Sequence, residues 1–146
     1  MYELSTVSRM SLYILLALIG ILTLAIWWAQ TGVLRGKAFK NPDGSVDDWH
    51  EQKIFFGISF ADVFLACPVS VTGIALVFLS PQWGYYLLAL VSFWFLWTNT
   101  MTTVTSLRFE KPKITVTWFI VYPLGSIVGL AYIVWTLVHF DSIYRP

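Results

Sequence analysis

The chain has 146 residues, 58% hydrophobic and 12% charged, with a formal net charge of +1. Soluble domains carry about 25% charged residues, so half that share, with a mean hydropathy of +0.71, excludes an ordinary soluble domain. The small net charge argues against nucleic acid as a partner, and the single cysteine, Cys67, excludes an intrachain disulfide and CxxC redox chemistry.

The first predicted span covers residues 11–32. Residues 10–34 form 25 consecutive positions without a charge, too long for the apolar region of a signal peptide, which runs about 7–15. The run is therefore read as a retained transmembrane helix, with Trp27 and Trp28 in an interfacial aromatic belt. A polar loop follows. Asn41-Pro42-Asp43-Gly44 is a turn signal, and Ser45-Val46-Asp47-Asp48 offers a helix cap followed by acids that complement the helix dipole. The second helix is expected to begin near Val46 or Asp47, ahead of the membrane, and its span to cover residues 53–79.

Ser80-Pro81-Gln82-Trp83-Gly84 permits only a tight reversal, which makes spans two and three antiparallel neighbours. Span three covers residues 85–106 and ends in a threonine-rich stretch; span four covers 114–139, with Pro123 inside it. The tail from Asp141 to Pro146 is expected to be too short to fold. The expected fold is all-α: four transmembrane helices in one up-and-down antiparallel bundle, a single domain over 1–146. Gly125 and Gly129 form a GxxxG pair, while Gly57/Ala61 and Ala66/Ser70 are small-xxx-small pairs. Such faces let helix backbones approach, and internal packing is the preferred reading over dimerisation.

Orientation follows from Lys and Arg. Arg35, Lys37, Lys40, Lys53, Arg108, Lys111 and Lys113 lie on one side, against Arg9 and Arg145 on the other. The expectation is a bacterial inner or plasma-membrane type protein with loops 33–53 and 107–113 cytoplasmic and both termini outside.

One carboxylate, Asp62, lies within an apolar run, where a charge costs roughly 2.5–3.5 kcal/mol on insertion scales. At 1.5 Å per residue, Asp62 sits about 13 Å past Lys53. Asn99 lies nine residues before Arg108, Tyr122 nine after Lys113, and Trp27 eight before Arg35. Four polar-capable side chains from four helices thus reach one layer. Thr102 and Thr103 add hydroxyls to it, either toward a wet cavity or back onto their own helix, and Arg108 can lean inward along its stem. Helical phase places Asp48, Glu51 and Asp62 along one stripe, completed by Phe55, Ile58 or Ser59, and Leu65 or Ala66. Asp62 need not be charged: a protonated carboxyl hydrogen-bonded to Asn99 would lower its burial cost. Pro68 and Pro123 release the carbonyls of Phe64 and Phe119, and a kink at either could open a cavity beside Asp62.

Metal-type side chains cluster only around His50 and Glu51, with Asp47 and Asp48; His139 falls at the opposite membrane face, so no metal or other cofactor is expected. Three function classes remain. The first is a transporter, channel or membrane ligand-binding protein with a site at Asp62, Asn99, Thr102, Thr103, Tyr122, Trp27 and Arg108. The second is an accessory subunit in which Asp62 pairs with another chain. The third is a membrane enzyme on a lipid or quinone-like substrate, disfavoured because only one deep carboxylate is present and acid–base chemistry wants a second group. The lipid bilayer is the expected partner, with a homo-oligomer or other membrane subunits beside it.

Overall fold

The computed structural model of the chain describes residues 4–37, 56–108 and 116–144, without the side chains of 116–119. The described residues contain four helices long and apolar enough to cross a membrane, and no strand. They are α1 (Thr6–Leu34), α2 (Phe56–Leu79), α3 (Pro81–Arg108) and α4 (Val116–Val138); a short α5 (Phe140–Tyr144) follows. The architecture is the expected all-α up-and-down bundle.

Helix α1 begins earlier than residue 11 because Ser5 caps it: its Oγ accepts the Ser8 N–H at 3.1 Å. Its other end closes at Gly36, whose φ of +78° only glycine adopts readily. Lys37 N–H reaches the Gly32 carbonyl at 3.0 Å and Gly36 N–H the Val33 carbonyl at 2.9 Å, satisfying two otherwise orphaned carbonyls. Leu12, Leu16, Ile19, Leu22 and Ile26 form a stripe at helical spacing along α1 and bury it against the other helices.

The outer surface of the bundle is apolar, and polar side chains are mixed into its largely apolar interior. Ile14, Ile21, Leu24, Phe64, Phe93 and Ile127 stand on the outside, while Thr23, Ser59, Asp62, Ser70, Ser92 and Asn99 are buried. In lipid the outer surface has no water to avoid, and the interior is where polar groups find partners. Thr23 and Ser70 hydroxyls meet at 2.7 Å between α1 and α2, and the Cys67 thiol points at the Thr23 carbonyl at 3.7 Å.

The reversal between α2 and α3 is tighter than a five-residue turn. Only Ser80 lies between them, because Pro81 already occupies the first helical position, where a missing N–H costs nothing. Gly84 makes this possible. A Cβ there would collide with the backbone of Val77 and lie 2.6 Å from the Leu76 carbonyl carbon. The GxxxG of α4 is an internal packing face: a Cβ on Gly125 would meet the Asn99 amide, and one on Gly129 would lie 3.0 Å from the Leu96 nitrogen. Ala66 and Ser70 also face inward, whereas a Cβ on Gly57 would meet nothing within 4 Å.

The tail departs from expectation. Residues after Asp141 do form structure: α5 folds back on the bundle, burying Ile143, whose carbonyl accepts from Gln82 Nε2 at 3.4 Å. Just before it, His139 stacks on Trp135 with ring centroids 4.4 Å apart and brings Nε2 to 2.9 Å from Ser8 Oγ. These local contacts, invisible to composition, hold so short a helix.

Helix α2 is not uniform. Residues Asp62–Ala66 form one π-helical turn, in which the Cys67 N–H reaches back five residues to the Asp62 carbonyl. Pro68 follows directly, and its ring would crowd the carbonyl of Phe64 in an unbroken α-helix; a widened turn ahead of it relieves that crowding. The expected early helix start at Val46 or Asp47 lies outside the described residues.

Candidate functional site

The wide turn begins at Asp62, and Asp62 is 5% exposed. Its two oxygens are taken by two other helices. Trp94 Nε1 on α3 donates to Oδ1 at 2.7 Å, and Gln30 Nε2 on α1 donates to Oδ2 at 3.1 Å. The Gln30 Oε1 in turn accepts from Ser59 Oγ at 2.6 Å, one turn before Asp62 on α2. A relay of hydrogen bonds therefore runs Ser59–Gln30–Asp62–Trp94 and ties three helices together. Each donor meets an acceptor, which is what makes a buried carboxylate tolerable in a medium without water.

Asp62 also borders a cavity of about 20 Å³. A water needs roughly 10–15 Å³ on the same measure, so the space suits one water-sized occupant. Gln30, Asp62, Thr98, Asn99, Thr102 and Tyr122 supply its polar wall, and Ile26, Ala29, Ile58 and Phe95 the apolar remainder. All four helices contribute.

The layer inferred by residue counting thus meets in space for Asp62, Asn99, Thr102 and Tyr122. Asp62 and Asn99, expected within hydrogen-bond or one-water reach of each other, share the wall of the one-water cavity without a direct hydrogen bond. Asn99 Nδ2 turns back onto the Phe95 carbonyl at 2.7 Å, with its amide seated over Gly125. Trp27 packs against the hydrophobic core one position away from Ile26 and does not line the cavity. Thr103 Oγ1 donates to the Asn99 carbonyl at 2.7 Å, off the cavity wall. Arg108 ends α3 as an exposed side chain outside the wall. His50 and Glu51, with the acidic stripe of Asp48 and Glu51, lie outside the described residues; among those that are described, no group of three His, Cys, Asp or Glu side chains converges.

The threonines take both of the roles open to them. Thr98 and Thr102 line the cavity, yet their hydroxyls donate to the carbonyls of Trp94 and Thr98, each at 2.8 Å. A hydroxyl that donates backward keeps its oxygen lone pairs as acceptors. Of Leu65 and Ala66, it is Ala66 that faces inward: Ala66 is buried and Leu65 is 63% exposed, the π turn having carried Leu65 outward.

Residue counting missed Gln30 and Trp94 as Asp62 partners, although Ser59, which donates to Gln30, stood on the Asp62 stripe. Gln30 carried a signal, since it is the sole amide in the 25-residue uncharged run of α1. Trp94 carried none, because a tryptophan in an apolar helix reads as bulk or belt unless its N–H has a known target.

Comparison with protein-family models, curated proteins and solved structures finds no match for this chain. The fold and the site define an all-α bundle of membrane-spanning helices with an internal carboxylate.

Proposed function

We propose that this protein binds a proton or a water-sized cation at Asp62, as a small membrane transporter, channel or ion-responsive protein. The observation that carries the reading is the convergence of a buried carboxylate, two threonine hydroxyls, an amide and a phenol on a space of about 20 Å³. Ionisable groups kept within membrane helices mark ion and proton sites by default. The small volume favours an ion over an organic substrate, and oxygen donors suit a hard cation. Both Asp62 oxygens are satisfied inside one chain, which favours this reading over pairing with another subunit.

The Lys and Arg bias supports the accompanying topology: a bacterial-type inner membrane, both termini outside, and the Asp62 end of the bundle toward the cytoplasm. An ion would then reach Asp62 from the cytoplasmic side.

The test is a set of thermal melts of the purified chain in uncharged detergent, from about pH 4 to 9, with Li⁺, Na⁺, K⁺ or a bulky organic cation. A bound ion raises the midpoint by an amount that follows RT ln(1 + [L]/Kd). Wild type should respond to pH or to one small cation, and Asp62→Asn should lose that response while staying folded. Identical profiles for the two proteins in every condition overturn the proposal.

A further inference from the structure

At the other end of the bundle from Asp62, a cleft of about 610 Å³ opens between the start of α1, the α2–α3 reversal and α5. Its wall is divided. Leu12 and Val77 make the deep part apolar and the exposed Phe78 extends that wall outward, while Arg9, Gln82 and Ser142 make the mouth polar. Three features give the mouth a positive character. Arg9 is on its wall. The N-terminal turn of α1 borders it through Arg9 and that of α3 through Pro81 and Gln82, while the last turn of α2, with Val77 and Phe78, lines the same wall. Helix N-termini carry partial positive charge and unpaired N–H groups that favour an anion. No carboxylate lines the cleft among the described residues.

An independent observation points to a ligand. Tyr85 lines the cleft and is only 8% exposed, with its ring centroid 5.8 Å from that of Trp135. Its phenol forms no hydrogen bond within the described residues, and its oxygen opens to the cleft rather than being sealed in the interior. Arg9 and Tyr13 line the same cleft. Tyr13 in turn stacks on Phe78 across the cleft, with ring centroids 6.4 Å apart. A donor without a protein acceptor, beside a cation and two helix starts, is a seat for an anionic oxygen.

We propose that this cleft binds one phospholipid with an anionic headgroup. The phosphate sits between Arg9 and the Tyr85 phenol, and the first part of the acyl chains lies over Leu12, Val77 and Phe78. The volume falls within the roughly 300–1,000 Å³ typical of small-molecule sites, enough for a headgroup and the upper chain segments, the remainder extending into the bilayer. The site is separate from Asp62, and neither proposal depends on the other.

The test uses the full chain, delipidated in uncharged detergent, with native mass spectrometry and thermal melts. The probes are phosphatidylglycerol, phosphatidylcholine with the same acyl chains, and inorganic phosphate. Phosphatidylglycerol should bind one per chain and raise the midpoint, with phosphatidylcholine several-fold weaker, because both carry the phosphate but the choline cation is repelled by Arg9. Arg9→Gln and Tyr85→Phe should each weaken phosphatidylglycerol binding by several-fold, whereas Arg35→Gln, the same charge change at the far end, should not. Arg9 is exposed, so its substitution carries the test even if Tyr85→Phe impairs folding. Equal binding of the two lipids, protection by phosphate alone, an equal loss with Arg35→Gln, or full binding by Arg9→Gln overturns the proposal.

Discussion

The indole N–H of Trp94 points at Asp62 Oδ1 across 2.7 Å, bonding two helices that are themselves joined by a single residue. The hairpin of α2 and α3 is thus fixed twice, at its turn by Gly84 and near its far end by this bond. Asp62 is part of the packing as well as the candidate ion site, and the two roles separate by substitution.

Asp62→Asn keeps an acceptor for Trp94, and rotation of the Gln30 amide restores a bond on the other side. Its cost to stability should be about 1 kcal/mol or less, near the average for interhelical hydrogen bonds in membranes. Asp62→Leu strands both the Trp94 N–H and the Gln30 amide and should cost about 1–3 kcal/mol for each buried group left unpaired. Equilibrium unfolding in mixed micelles measures both. Equal costs for Asn and Leu would mean that the hydrogen bonds do not contribute.

Trp94→Phe and Gln30→Leu should each destabilise, and each should couple to Asp62→Leu, which removes the shared hydrogen bonds. A double-mutant cycle on Trp94 and Asp62 should give an interaction energy of about 0.6–1.7 kcal/mol, the range for such pairs in a bilayer protein. Additive effects would show that the indole contributes only its bulk.

The glycines give a prediction of opposite signs. Gly84→Ala drives a methyl into the Val77 backbone, which cannot yield as a flexible side chain would. It should cost at least the roughly 1–3 kcal/mol of ordinary overpacking, or prevent the hairpin from closing. Gly129→Ala should behave similarly against Ser92 and Leu96. Gly57→Ala meets nothing and should be neutral or stabilising by a fraction of the roughly 1 kcal/mol helix preference of alanine. Melting midpoints of the three variants, ranked, decide the matter.

Topology is checked by labelling. With Cys67 buried, a cysteine at Ser5 should react with a membrane-impermeant thiol reagent on intact cells, and one at Ser45 should not. The reverse pattern would place the Asp62 end outside and remove the cytoplasmic route to it.

The four helices were legible because each is a run of about 20 apolar residues, a length the bilayer imposes. Asp62 was legible for the same reason, as the one carboxylate in such a run. Its partners were not. Counting residues from loop to loop fixes depth along a helix but not direction around it. Asn99 and Tyr122 were found at the correct depth, while on α1 the inward side chain at that level is Gln30 and not Trp27. The rotation depends on which small residues let the helices close, Gly125 under Asn99 among them, and that is a property of pairs of helices. The docking of α5 was hidden for a similar reason: five residues hold no signal of their own, and what orders them is His139 meeting Ser8 from the opposite end of the sequence.

The π turn at Asp62–Ala66 divides α2 into two lengths that answer to different neighbours. Before it, Ser59 and Asp62 face Gln30; after it, Ser70 faces Thr23 and Gly73 accommodates Leu88. A continuous α-helix advances 100° per residue, so it could satisfy one of these sets only by turning the other aside. The extra residue works as a swivel between them. Removing one residue from 63–65 would let the helix close up as uniform α with Ser70 and Gly73 still facing Thr23 and Leu88, whereas forcing the full-length sequence into plain α would swing both by about 100° and break those contacts.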